Sequence, residues 1–165
     1  MLAYADTEFN QKNREYLLPE RIKNANYDVI LIDSPPALGL MNIMSLTVSS
    51  KIIIPTECSY LAMVGLKQIY NTIQSIHKHS NKDLCVLGIL LIKYNGRANI
   101  NIAVSNALEK LSVQMNTKVF ACKIRETIKV KEAQSQQEPI IDWDPSCTAV
   151  QDYLDFVKKL TSNLA

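Results

Sequence analysis

YDVILIDSPPALGL, residues 27–40, is the stretch from which the rest of the chain is best read. Four apolar residues, Val29 to Ile32, run straight into Asp33, and Ser34, Pro35, Pro36 and then Gly39 follow. A continuous apolar run predicts a strand over 27–32, covered on both faces as in a parallel sheet. The prolines bar the strand from continuing and stiffen the next loop. In open α/β sheets, chemistry gathers beyond the carboxyl ends of the strands, where Asp33 is expected. An ionised carboxylate at such a point is costly without a partner, and a hydrated Mg²⁺ on a nucleotide is a suitable one. The same aspartate can instead cap the following helix, and the pattern alone leaves both roles open.

Further pieces of the same architecture flank this stretch. A short helix with an early proline is expected over 14–25, and another helix over 38–48. KIIIP, 51–55, reads as a buried strand ended by Pro55. Leu66, Ile69, Ile73 and Ile76 repeat at helical spacing between Leu61 and His79. LCVLGILLI, 84–92, is a third buried strand. Val104, Ala107, Leu108 and Leu111 mark a helix from Ile100, and KVFAC, 118–122, a fourth strand. Val150, Tyr153, Leu154, Val157 and Leu160 stripe a closing helix expected to face the core. Strands alternating with helices predict an α/β fold with a mainly parallel sheet and helices on both faces. The 165 residues suit a single domain over 1–165.

Composition narrows the classes. Hydrophobic residues make up 47% and charged residues 21%, an ordinary globular balance. No apolar run reaches the roughly 20 residues of a membrane span, and the first residues lack the pattern of a signal peptide. A cytoplasmic protein without membrane attachment is expected. Cys58, Cys85, Cys122 and Cys147 form no C-x-x-C pair and read as reduced, mostly buried thiols. Cys58 follows a strand but has no histidine near it, so it reads as a packing residue. His77 and His79 read as solvent-exposed residues closing a helix. Trp143 reads as a cover over one edge of the core.

The net charge of +2 is unevenly spread: residues 78–131 hold ten Lys/Arg against three Asp/Glu. Lys118, Lys123, Arg125, Lys129 and Lys131 fall within fourteen residues of that segment. Composition alone fits a solvated face.

YDVILIDSPPALGL resembles the Walker B region of ParA-type (ParA/Soj, deviant Walker) partition ATPases. KIIIPTECSYLAMVGLKQIYNTI, VLGILLIKYNGR and IRETIKVKEAQSQQEPIIDWDPS resemble later segments of that family in the same order, from about Leu2 to Leu160. The resemblance implies a P-loop NTPase-like fold and a role in plasmid or chromosome segregation, with ATP and Mg²⁺ as cofactors. It implies that Asp33 holds Mg²⁺ through water, that Ser34, Pro35, Pro36 and Gly39 form a nucleotide-sensing switch that bears on dimerisation, and that Ile124, Arg125 and Glu126 lie near the adenine. Lys118, Lys123, Arg125, Lys129 and Lys131 would face DNA, bound without sequence preference. The implied partners are a ParB-type protein, a complete ParA relative, or a second copy of the chain in a homo-oligomer.

The chain also departs from the family pattern. It has four glycines, none in a G-x-x-x-x-G-K-[ST] frame, and no lysine followed by Ser or Thr. Such a loop wraps phosphates with backbone N–H groups and a lysine. The resemblance implies that this loop lies upstream, so the chain is expected to be the C-terminal portion of a ParA-type domain, inactive as an ATPase on its own. A non-catalytic module that binds DNA or a partner is the alternative. Ser50 and Asn95 stand where the family commonly has acids, Gln137 and Thr148 where it commonly has glycine.

Overall fold

The computed structural model describes residues 17–35 and 39–162. In chain order the elements are α1 (Leu17–Ile22), α2 (Leu40–Val48), β1 (Lys51–Glu57), α3 (Tyr60–His79), β2 (Cys85–Ile92), α4 (Asn99–Gln114), α5 (Ile128–Gln136), α6 (Ile140–Trp143) and α7 (Thr148–Thr161). Pro19 sits in the first turn of α1, where its missing N–H is not needed. The chain divides into two compact units. One comprises the described residues through Ile52 together with Lys67–Val86; the other comprises Ile53–Leu66 and everything from Leu87 onward.

In the first unit, Met44, Thr47, Ile73, Ile76 and Leu84 are buried. The Asn81 side chain donates to the carbonyls of Leu46 and Ser49 at 3.0 and 2.7 Å, tying the end of α2 to the turn after α3. Cys85 N donates to Ser50 O at 3.0 Å, which brings together the starts of β1 and β2. With a 20-residue helix between them, the two strands run parallel, because a parallel pair needs such a crossover.

In the second unit β2 is buried on both faces: Ile89, Leu90 and Leu91 are all inaccessible or nearly so. Leu90 joins Ile124, Cys147, Ala149, Val150 and Phe156 in one cluster, with Phe120 and Ile53 packed against it. Phe120 and Phe156 meet edge to face at 5.0 Å. Gly88 keeps β2 close to its neighbour, since a Cβ there would lie 2.7 Å from the Phe120 ring and 3.0 Å from the Lys118 carbonyl. Gly88→Ala is therefore expected to cost about 1–3 kcal/mol in urea unfolding, through overpacking.

The largest departure from expectation is residues 27–32. They form no strand, and Tyr27, Val29, Ile30 and Leu31 are exposed, Leu31 to 90%. Apolar residues make a buried strand only where a ladder and a cover exist, and among the described residues no backbone–backbone hydrogen bond reaches this run. Pro55 does not end β1, which continues to Glu57 with Pro55 exposed. Among the described residues β1 pairs only with β2, so its other edge needs no N–H from Pro55.

The expected strand at 118–122 is reduced to parallel bridges, Ile89 with Val119 and Tyr94 with Arg125. Ile89 N donates to Lys118 O, Phe120 N to Ile89 O, and Ile124 N to Leu91 O. Between the last two bonds β2 advances from Ile89 to Leu91 while its partner advances from Phe120 to Ile124. The extra residues bulge out and break the ladder.

On α7, Ala149, Val150 and Phe156 are buried, but Tyr153, Leu154 and Val157 are about half exposed. The expected stripe is thus wider than the core that covers it. Trp143 is 40% exposed. Of the cysteines only Cys147 is buried and Cys85 is exposed, because Cys85 begins β2 at the margin of its sheet.

Candidate functional site

In the second unit, three chain segments bring their carboxyl ends together: β1 at Glu57, β2 at Ile92 and the bridged segment at Ile124–Glu126. Lys93, the residue after β2, takes a left-handed backbone with φ 49°. A lysine pays steric strain there that glycine would not. Its ammonium is paired with the Glu57 carboxylate across the mouth of the two strands, and that hydrogen bond and charge raise its pKa. Tyr94 N donates to Ile124 O at 2.9 Å, and Glu126 N donates to Tyr94 O at 3.1 Å. Tyr94 is thereby locked against the loop expected to lie near the adenine.

The Lys123 ammonium lies 4.4 Å from the centre of the Tyr94 ring and donates to the buried Ser105 hydroxyl at 3.1 Å. Burial raises the Cys58 thiol pKa, against an opposing pull from Lys123, so Cys58 is kept as a neutral thiol. Asn95 Oδ1 accepts from Arg97 N at 3.0 Å, an Asx turn that an aspartate would make equally well. Gln137 has φ 59° and ends α5 in the left-handed conformation, the place where a glycine is commonest.

Arg125 is held by Asp152 of α7. Its Nη2 lies 2.7 Å from Asp152 Oδ1, its Nε 2.8 Å from Oδ2, and its backbone N donates to Oδ2 at 2.9 Å. A bidentate fork of this kind fixes geometry as well as charge. Burial alone would raise the Asp152 pKa. The hydrogen bonds from the Arg125 side chain and backbone, with its charge, outweigh that and leave the pKa lowered.

The unfolded chain takes up the proton first as pH falls, so the stabilisation is complete above the ordinary aspartate pKa and is lost as pH falls through the lower folded value. Asp152→Asn is expected to lose about 1–3 kcal/mol at pH 7 and to show less acid sensitivity than the parent. Urea unfolding at pH 7 and pH 3 reads both effects.

The other expected site residues are more scattered. Asp33, Ser34 and Pro35 lie in exposed, irregular chain of the first unit, where Pro35 O accepts from Asn42 at 3.0 Å. Pro36 lies outside the described residues. Among the basic residues, Lys129 is paired with Glu132 at 2.9 Å, Lys118 lies over the Phe120 ring at 5.7 Å, and Lys131 is exposed. Asp152, Glu57, Lys93 and Ser105 were not anticipated. Arg125 and Asp152 lie 27 residues apart, and no local signal connects them.

An exposed Asp33 suits an Mg²⁺ held through water, whose ligands are mostly oxygens. The donors for a triphosphate do not fit: the sequence offers no glycine loop with a lysine. Among the described residues no three His, Cys, Asp or Glu side chains are grouped to hold a metal directly.

The parallel pair, its helical crossover and the chain ends gathered at its carboxyl edge are those of an α/β protein, and the solved structures it superposes on are P-loop NTPase-like. The MinD cell-division ATPase of Pyrococcus furiosus shares the fold, with a TM-score of 0.69 at 19% identity over 92% of this chain and 59% of that one. A family model described as an AAA domain matches residues 1–86. The Bacillus subtilis sporulation initiation inhibitor protein Soj is 39% identical over 138 residues, 84% of this chain and 53% of Soj. The cobyrinic acid a,c-diamide synthase of Mycobacterium smegmatis, solved with an ATP analog and magnesium, superposes with a TM-score of 0.72 at 26% identity, over 94% of this chain and 56% of that one. The chain belongs to the ParA/Soj-type partition ATPase family, and it spans about half the length of the curated relatives it matches. No described helix is long and apolar enough to cross a membrane.

Proposed function

We infer that this chain serves plasmid or chromosome partition in the cytoplasm by binding DNA without sequence preference, and that by itself it does not turn over ATP. The observation that carries the reading is the surplus of seven basic residues between 78 and 131 in a member of a partition family. A ParB-type protein is the natural partner. Pairing within the chain leaves the contributions unequal. Arg125 is committed to Asp152, whereas Lys129 has only a surface ion pair, worth little, and can be drawn away by phosphate.

Neutralising about four phosphates gives a log–log salt slope near −3.6. Filter binding with random-sequence duplexes should therefore weaken steeply between about 50 and 300 mM salt. Lys129→Glu with Lys131→Glu should abolish most of it. Equal binding at both salts, or by the double variant, overturns the reading.

The exposed apolar run at Tyr27–Leu31 favours a second reading, a non-catalytic module that pairs with a complete relative. Co-sedimentation with purified Soj tests it: a stable complex, lost when Val29 and Leu31 are replaced by Asp, supports pairing, and independent sedimentation overturns it.

A further inference from the structure

Arg125 and Lys129 flank Thr127, the cap of α5, whose hydroxyl accepts from Lys129 N at 3.3 Å. Both cations lie within electrostatic reach of Cys147, which puts them in one neighbourhood of the second unit. Their acidic partners differ in burial. The Lys129 and Glu132 side chains are 45% and 40% exposed, so water re-covers Glu132 at little cost when Lys129 turns to a phosphate. The Asp152 side chain is only 13% exposed, against 53% for Arg125.

Asp152 cannot follow its partner outward. Along α7 it lies between Val150 and Phe156, both buried. The Cys122 thiol donates to its carbonyl at 3.3 Å, and the Arg125 backbone N donates to its carboxylate at 2.9 Å. A phosphate that took the Arg125 guanidinium would leave this carboxylate largely buried and without its counter-ion, which is costly. Exchanging one bidentate anionic partner for another returns little against that cost.

We propose that Asp152 is an internal brake on DNA affinity: as a fixed counter-ion it withholds Arg125 from the phosphate backbone, so the basic face binds duplex with one contact fewer than its charge allows. The brake rests on the DNA-binding reading and adds the residue that limits it. Without the carboxylate, Arg125 joins Lys129 at the same end of α5 as a further phosphate ligand.

The test compares the full 165-residue chain with Asp152→Asn by filter binding to random-sequence duplex across a salt series. Asparagine keeps the size of the side chain and an oxygen for the Arg125 backbone N, but not the charge. Each added phosphate contact contributes about −0.9 to the log–log slope, so the slope should steepen from near −3.6 to near −4.5, with about fivefold tighter binding at about 100 mM salt. Asp155→Asn removes the same charge from an exposed residue of α7 that makes no ion pair with Arg125, and should leave the slope within about 0.2 of the parent. Adding Arg125→Gln to Asp152→Asn should abolish the gain. In the unsubstituted chain, the Arg125 Nε–H resonance should keep its position and its slow exchange at saturating DNA, whatever the stability of the variants. An unchanged slope in folded Asp152→Asn, an equal gain in Asp155→Asn, a gain that survives Arg125→Gln, or a DNA-induced shift of the Arg125 Nε–H each overturns the brake and leaves the DNA-binding reading standing. If neither the parent nor Asp152→Asn binds duplex at about 50 mM salt, the DNA-binding reading itself fails, and the brake with it.

Discussion

Mg·ATP mixed with the isolated chain should release no phosphate above the protein-free background, with or without duplex DNA. Phosphoryl transfer is mostly positioning and electrostatic stabilisation around the phosphates. Asp33 can steady an Mg²⁺ through water, but such an ion is held largely by substrate phosphates, which themselves need donors. The sequence holds no G-x-x-x-x-G-K-[ST] frame from which a ring of N–H donors and a lysine could come. Two missing charge-assisted hydrogen bonds already amount to about 3–6 kcal/mol. At about 1.4 kcal/mol per tenfold, that is roughly a hundredfold to ten-thousandfold in affinity. Titration calorimetry should accordingly find at best millimolar binding. Micromolar binding, or turnover that vanishes in Asp33→Ala, would mean that a phosphate site of another kind exists in the chain. Turnover that appears only with a complete relative, and depends on this chain's Asp33, would place the site between two chains.

Leu108→Ala should be among the most damaging single changes to stability. Leu108 lies in the middle of α4 with 0% exposure, so truncation removes transferred apolar surface and leaves a cavity. Such changes cost about 2–5 kcal/mol, depending on how far the surroundings collapse. For a chain of this size each kcal/mol moves the melting temperature by about 2–4 °C, so a drop of about 4–20 °C is expected. Val113→Ala on the same helix is the control: Val113 is 77% exposed and should shift stability by no more than about 0.5 kcal/mol. A thermal melt followed by circular dichroism separates the two. Equal effects would mean that the buried and exposed faces of α4 are wrongly assigned.

Much of this protein could be read from local pattern. Leu66, Ile73 and Ile76 on α3, and Val104 and Leu108 on α4, are buried at the positions their helical spacing requires. The continuous apolar run of β2 is buried on both faces, as a parallel arrangement demands. These features depend on residues a few places apart in the chain, and periodicity records that distance.

Other features depend on partners that the local sequence does not name. Val29, Ile30 and Leu31 are as apolar as the centre of β2, yet lie exposed because a strand is made by its ladder. The bulge before Ile124 arises from register against β2, which 118–122 cannot encode alone. Arg125 reads as one more cation in a basic segment until folding brings Asp152 to within 2.7 Å. Local composition thus determined that this chain has a basic segment, and periodicity that it has an α/β framework. Tertiary structure decided which of those charges are spent inside the molecule, because Coulomb attraction and hydrogen bonding depend on distance in space rather than along the chain.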